Sequence, residues 1–351
     1  LMIWTTTPWT LPANLAVAVA PDGNYGLYRH PAEGKDSYVV IVDTLAESVF
    51  KKSGVESYEK IGGSTGSDLA KGGVTYKHPF TDRTGKVVTA DYVTFEDGTG
   101  LVHTAPGHGV DDYQTGLREG LDIYCPVLAD GTFDDTVPDW IKGVNVWKGN
   151  EIITERLRET GHLFHDEEYV HSYPHDWRSK TPTIFRATDQ WFVSVDEEAE
   201  GLGKSLRELA LENTESGISF YPEWGRNRLR GMLESRPDWC ISRQRVWGLP
   251  IPAFVNKNGK VLLTAATVKT VIEKIRKNGA NYWFKAEPSE ILEGYDPGTD
   301  SEAPEWAKED GALNEVTHGM DIFDVWYEAG SSWHSVLEHR NIGYPADLYL
   351  E

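Results

Sequence analysis

The chain has 351 residues, of which 39% are hydrophobic and 25% charged, a composition typical of a globular protein with two or three domains. Its net charge of −21 argues against general nucleic-acid binding, because phosphate contacts depend on Lys and Arg. The longest all-apolar run, Leu15 to Ala20, is far shorter than the roughly 20 residues of a membrane helix, and no basic-then-apolar leader precedes it, so we expect a cytoplasmic protein.

The first half of the chain alternates short strands with a few helices. Strands are predicted at residues 16–19, 26–29, 38–42 and 86–95, between Gly, Pro and Asp turns. Helices are predicted at residues 44–53, 111–119 and 150–161, the last with Asn150 as its N-cap. The expected fold class is α+β, with a β-barrel-like domain decorated by helices and a smaller mixed α/β connective region.

The second half has a different pattern. Residues 169–195 are dense in aromatic, proline and basic residues, which favours extended ribbons. Further helices are predicted at 199–213, 224–233 and 265–278, whereas 285–315, rich in Glu, Asp, Pro and Gly, is predicted to be an exposed loop. The expected segments are 1–195, 196–250, 251–330 and 331–351.

The most informative segment is Thr5 to Pro12, which holds four threonines and two prolines. Such a segment makes a poor strand core and a good rigid, polar pocket wall. The same composition also suits a hydroxyl-capped corner without any function.

A second segment, Gly98 to Tyr113, places two imidazoles and two carboxylates among four glycines. Three interpretations are open: a metal site with His103, His108 and Asp112 as ligands, an acid–base site, or a turn with solvated charges. A Ser–His–Asp arrangement is disfavoured, since the hydroxyls of the first segment are threonines. The only cysteines, Cys125 and Cys240, are too far apart in sequence for a Cys-x-x-Cys metal motif, and neither metal nor cofactor is expected.

Together the two segments resemble the hydrolytic editing site of isoleucyl-tRNA synthetases. The stretch from Thr5 to Asn14 is similar to the isoleucine enzyme's version, whereas the leucine and valine relatives have an Arg in place of Thr7. Similar segments follow in the family's order at residues 173–182, 187–193, 237–252 and 324–332.

Two signatures of this enzyme class, His-x-Gly-His and Lys-Met-Ser-Lys-Ser, are absent from the sequence. In the family they carry ATP binding and adenylate formation. The resemblance therefore implies the large insertion between the two catalytic halves, which edits without synthesising. Residues 346–351 are similar to the strand that re-enters the nucleotide-binding fold.

The resemblance also implies roles for individual residues. The catalytic set would be Asp112, which pairs with the substrate α-ammonium, His103, which rejects the longer side chain, and Thr7. The substrate-binding set would be Thr5, Thr6, Thr10, Asn14 and Gly100, with Asn14 orienting the terminal adenosine. Asp111 and His108 are expected to be cap and turn residues.

The expected partners are the 3′ end of tRNA(Ile) carrying valine and the catalytic domain of the full-length synthetase, with no membrane and a monomeric state. Residues 224–247 hold six arginines against two acidic residues, so this stretch and Trp191 could contact the acceptor strand or pack against the catalytic domain. The rival function is a non-catalytic tRNA-binding or docking fragment, which hydrolysis by the isolated chain would exclude.

Overall fold

The computed structural model describes residues 1–32, 35–199 and 201–348. The chain divides into two compact units, Leu1–Thr188 and Asp189–Glu351. The four-segment division expected from the sequence stays a prediction. No helix among the described residues combines the length and the hydropathy needed to cross a membrane.

In the first unit, short strands alternate with helices. The strands are β1 (Ala16–Val19), β2 (Asn24–Ala32), β3 (Lys35–Val42), β4 (Glu59–Thr65), β5 (Thr75–Lys77), β6 (Thr84–Thr89) and β7 (Leu101–Thr104). The helices are α1 (Asp43–Lys52), α2 (Gly66–Lys71), α3 (Val110–Glu119) and α4 (Val146–Glu159), and a 3₁₀ helix spans Pro8–Ala13. The predicted mixture of strands and helices is confirmed.

Two open sheets organise the first unit. The larger has the order β5-β6-β1-β7, and β1 pairs in parallel with β6 and antiparallel with β7. All four residues of β1 are buried, as expected for a short apolar strand in a sheet interior. The smaller sheet has the order β3-β2-β4. No sheet formed by the described residues closes on itself, so the barrel-like arrangement is not confirmed.

The 3₁₀ helix is anchored in a core of its own. Trp9 and Leu11 pack with residues that come more than a hundred positions later, including Phe133 and Ile153 of α4. The Trp9 backbone N–H donates to Asn150 Oδ1 at 2.9 Å. Asn150 was predicted to cap α4, and this is wrong: the side chain of Asn145 caps it by accepting from the backbone N–H of Trp147.

The second unit is built from small two- and three-stranded sheets and short helices. Its strands are β8 (Phe192–Val193), β9 (Trp239–Cys240), β10 (Ser242–Arg243), β11 (Phe254–Val255), β12 (Val261–Leu262), β13 (Thr317–His318) and β14 (Ile322–Phe323). Its α-helices are α5 (Leu206–Glu212), α6 (Gly225–Glu234), α7 (Ala265–Asn278), α8 (Pro288–Ile291) and α9 (Val325–Gly330). The helix predicted at residues 265–278 is confirmed, and Thr264 forms its capping box with Thr267.

The exposed loop predicted at residues 285–315 is wrong in part. This segment contains α8 and two 3₁₀ helices, Glu305–Lys308 and Ala312–Glu315. It contributes buried residues, among them Ile291 and Ala307, to the core around Phe254 and Trp283. The segment looked like a loop because charged residues dominate its composition, although a few apolar residues anchor it in the core.

Other boundaries differ from prediction in identifiable ways. The helix expected at 199–213 begins only at Leu206, because Ser205 caps it in a reciprocal capping box with Glu208; Glu200 lies outside the described residues. The strand expected at 86–95 ends at Thr89. Residues 349–351 of the expected terminal strand also lie outside the described residues.

Candidate functional site

The threonine segment forms a short corner that ends in the 3₁₀ helix. The Thr7 backbone N–H donates to Thr5 Oγ1 at 3.1 Å, and Pro8 occupies the first helical position, where its missing N–H costs nothing. Thr5 and Thr7 are half-buried and Thr6 is exposed, whereas Thr10 is buried beneath them. The segment therefore combines three partly or fully exposed threonines with one buried threonine.

The buried Thr10 hydroxyl joins the two sequence segments. Thr10 Oγ1 lies 2.9 Å from His103 Nε2 and donates to the Thr7 carbonyl oxygen, also at 2.9 Å. His103 sits on β7, where it pairs with Val17 of the central strand β1. The strand register therefore brings the imidazole under the threonine corner.

Asp112 is placed by the turn that follows β7. It lies in the first turn of α3, where a carboxylate is favoured by the unpaired N–H groups of the helix start. Its Oδ2 accepts from the Ala105 backbone N–H at 2.9 Å. Ala105 is two residues beyond His103, so this hydrogen bond holds the half-buried Asp112 carboxylate close to the strand end that carries the imidazole.

Burial sets the protonation of this carboxyl group. Loss of solvent raises the pKa of Asp112 from 3.8 to about 6, with a smaller rise from the neighbouring Asp111 charge, while the Ala105 hydrogen bond acts in the opposite direction. At neutral pH the group is therefore ionised but costly to keep charged. A bound cation would relieve that cost.

Three histidines near the corner are neutral for the same reason. Burial lowers the pKa of His103 and of His78 to about 4, and it also lowers the pKa of His108. His108 Nδ1 bonds the Phe185 carbonyl oxygen at 3.0 Å, and its ring meets Trp9 edge-on. These contacts tie the turn that carries His108 to Phe185 and Trp9.

Asn14 and Gly100 are engaged within the fold. The Asn14 amide donates to the Ala16 carbonyl oxygen at 2.9 Å, and its Oδ1 accepts from Tyr76. Gly100 has a φ of +73°, and a Cβ there would come within 2.6 Å of the Val42 side chain. Contact of either residue with a ligand stays a prediction.

Three supporting residues could not be identified from the sequence. Arg83 donates to the carbonyl oxygens of Pro12 and Asn14, at 3.0 and 2.8 Å, and thereby ties the end of the 3₁₀ helix to the region after β5. Tyr76 donates to Asn14 Oδ1, and Asn150 Oδ1 accepts from the Trp9 backbone N–H. No local pattern marks these residues, because each acts on a segment 60 or more positions away.

The geometry of the described residues does not favour a metal site. Within residues 1–32, 35–199 and 201–348, no three His, Cys, Asp or Glu side chains are grouped so that they could hold a metal ion. His103, His108 and Asp112 are therefore not arranged as a ligand set.

In the second unit, some arginines of residues 224–247 form ion pairs and others are exposed. Arg230 pairs with Glu215 and Glu234, and Arg243 pairs with Asp324 at 2.7 Å. Three other arginines of the stretch are exposed: Arg228, Arg236 and Arg245.

The model of class I tRNA synthetases for isoleucine, leucine, methionine and valine matches residues 27–351. The chain belongs to this family. Isoleucine–tRNA ligase of Prochlorococcus marinus is 43% identical over 99% of this chain and 34% of its own length. The enzyme of Persephonella marina is 44% identical over 100% of this chain and 36% of its own length. The resemblance that the motifs indicated is thereby confirmed.

The chain spans about a third of the length of these curated relatives. Two solved structures show weaker likeness. One, described as GlLeuRS-CP1, has 17% identity and a TM-score of 0.37 and covers 47% of this chain and 83% of its own. The other is the editing domain of Plasmodium knowlesi cytosolic leucyl-tRNA synthetase, with 10% identity, a TM-score of 0.35 and coverage of 45% and 80%.

Proposed function

We propose that this chain hydrolyses the ester between valine and the 3′ end of tRNA(Ile), the editing reaction of an isoleucine–tRNA ligase. The proposal rests on family membership and on one observation above others. The Thr10–His103 hydrogen bond joins the hydroxyl-rich corner to β7, and the residue that follows this strand, Ala105, donates to the Asp112 carboxylate of α3. The proposed site thus combines neutral hydrogen-bond donors and acceptors with the half-buried Asp112 carboxylate.

Asp112 is the proposed partner of the substrate α-ammonium. Its carboxylate is partly desolvated, so an ion pair there is stronger than one in bulk water. Asp111, next to it, is exposed and is not proposed to contact the substrate. The ammonium is common to all aminoacyl esters, so this contact supplies binding and orientation without selecting the side chain.

Selection is assigned to the pocket wall. Valine and isoleucine differ by one methylene, worth about 1–3 kcal/mol in the apolar pockets of enzymes of this kind. A site that hydrolyses valine must instead exclude isoleucine by size. We assign this exclusion to His103, which strand pairing and burial hold rigidly, and to the wall formed by Thr5, Thr6 and Thr7.

Water attack is assigned to positioning and not to a dedicated base. His103 is neutral, but burial lowers the pKa of its imidazole to about 4 and makes it a weak base, and His108 is bonded to Phe185. The half-buried hydroxyls of Thr5 and Thr7 are suited to hold a water or the terminal ribose, while Asn14 and Gly100 are proposed to shape the adenosine side. Correct placement of water and ester can by itself supply a large share of the rate.

The proposed partners are the tRNA 3′ end and the catalytic halves of a longer synthetase, with the chain acting as a monomer. The chain as a whole is acidic, so tRNA would approach through the exposed arginines Arg228, Arg236 and Arg245. Without the two nucleotide signatures, the chain is not proposed to form adenylate.

The test is deacylation of valyl-tRNA(Ile) by the isolated chain, with Asp112→Asn and Asp111→Asn as a matched pair. We expect hydrolysis by the wild type, a loss of at least about a hundredfold in Asp112→Asn, as for the loss of a partly buried charged partner, and little change in Asp111→Asn. Binding of tRNA without hydrolysis in the wild type would favour the docking function instead.

A further inference from the structure

The Thr10 hydroxyl has two polar neighbours but only one proton. It lies 2.9 Å from the Thr7 carbonyl oxygen and 2.9 Å from His103 Nε2. A carbonyl oxygen can only accept, so the hydroxyl proton must point toward Thr7; otherwise two oxygen lone pairs would face each other at that distance. The remaining lone pair of the hydroxyl then faces His103.

This arrangement determines where the imidazole carries its hydrogen. Nε2 must donate to the Thr10 lone pair, and because burial keeps His103 neutral, Nδ1 carries none. Nδ1 is buried and has no hydrogen-bond partner among the residues that the structure describes. The opposite tautomer would leave a buried N–H there without an acceptor, which is the costlier defect.

His78 provides an internal comparison. Its Nε2 bonds the Leu11 carbonyl oxygen at 2.9 Å, so it too carries the hydrogen on Nε2, and its Nδ1 accepts from the Phe80 backbone N–H at 3.3 Å. Both nitrogens of His78 are thus used within the fold. His103 has the same tautomer, but its acceptor nitrogen is left for another group.

We propose that Thr10 is a positioning residue that holds His103 in the Nε2–H tautomer, so that Nδ1 accepts a hydrogen bond from an O–H or N–H group of the bound aminoacyl ester or its attacking water. This inference rests on the proposed function for its ligand, although the tautomer itself does not depend on activity. It replaces the direct substrate contact expected of Thr10, because the Thr10 hydroxyl already donates to the Thr7 carbonyl oxygen and accepts from His103 Nε2.

The experiment compares the wild type with Thr10→Ser and Thr10→Val by nitrogen-15 NMR of labelled histidines at neutral pH, with His103→Gln to assign the His103 signal. We expect His103 to show a protonated Nε2 and an unprotonated Nδ1 in the wild type and in Thr10→Ser. Thr10→Val removes the acceptor, so its His103 should become a mixture of tautomers, while His78 keeps its signals and reports an intact fold.

Deacylation is measured on the same proteins. Thr10→Ser should keep the wild-type kcat, whereas Thr10→Val should lose about tenfold or more in kcat with little change in KM for the charged tRNA. A wild-type His103 protonated at Nδ1 would overturn the inference, as would Thr10→Val with an unchanged tautomer. If Thr10→Val does not fold, the wild-type and Thr10→Ser spectra still decide. A wild type with the expected tautomer and no hydrolysis would support the Thr10 assignment and overturn only the proposed function.

Discussion

Replacing Asp112 by Asn should make the protein more stable and less active at the same time. The amide oxygen of Asn can still accept from the Ala105 N–H, as Oδ2 does at 2.9 Å, so the local geometry is kept. What is lost is the charge, which burial makes unfavourable: the pKa of the carboxyl group rises from 3.8 to about 6 on folding.

The pH dependence follows from the direction of this change. Below about pH 4 the carboxyl group is protonated in both folded and unfolded chains and contributes nothing. As the pH rises from about 4 to about 6, the unfolded chain releases the proton first, so the free energy of unfolding falls. Above about pH 6 the full penalty is present and stays constant.

A pKa difference of this size corresponds to about 3 kcal/mol at 1.36 kcal/mol per pKa unit. Because Asp112 is only half-buried, solvent screening reduces this, and we expect about 1–2 kcal/mol. Asp112→Asn should therefore raise the free energy of unfolding by that amount at pH 7.5. At pH 4 most of the gain should be absent.

The assay is urea denaturation at pH 7.5 and pH 4, followed by circular dichroism, with the exposed Asp111→Asn as the control that should change little. Deacylation of valyl-tRNA(Ile) is measured on the same samples. If Asp112→Asn proves less stable at pH 7.5, or equally stabilised at both pH values, the burial argument is wrong. If it is more stable and still fully active, the ammonium contact is wrong.

Three further expectations concern selectivity, backbone conformation and chemistry. His103→Ala should slow both substrates because the Nδ1 acceptor is lost, and it should also shift the ratio of isoleucyl- to valyl-tRNA(Ile) deacylation toward isoleucine by about tenfold. An unchanged ratio with both rates depressed would remove His103 from the pocket wall. Gly100→Ala should lower the free energy of unfolding by about 1–3 kcal/mol, because its φ is +73° and a Cβ there would also strike Val42. Gly54→Ala, at a φ of +72° with open space around it, is the control and should lower the free energy of unfolding less. Equal losses of stability in the two variants would show that the contact with Val42 is unimportant. ATP–pyrophosphate exchange should be absent and deacylation should survive a chelator; exchange activity, or loss of deacylation that zinc restores, would contradict this.

Several elements follow from local sequence because their causes are local. The helix at Ala265–Asn278 has its apolar periodicity and its capping threonine within one stretch, and it was predicted to the residue. The start of α3 follows from the acidic pair that opens it. The threonine corner and its family resemblance can likewise be recognised from a few consecutive residues.

Elsewhere, predictions made from the average composition of a segment were wrong, because a few tertiary contacts determine its structure. Residues 285–315 look like a solvated loop, yet Ile291 and Ala307 are buried in the core around Trp283. Asn150 looks like a helix cap, yet it lies inside α4, which Asn145 caps, and its side chain accepts from the Trp9 backbone N–H. In both cases, residues far away in sequence provide the stabilising contact.

The candidate site shows the same division. Local sequence was enough to identify Thr10, His103 and Asp112 as candidates, because their residue types and neighbours are unusual. Only the tertiary structure decided that Thr10 meets His103 across 93 positions and that Tyr76 donates to Asn14 across 62. Strand register and burial determine these pairings and the protonation of each group, and both arise from packing between segments that no short stretch of sequence contains.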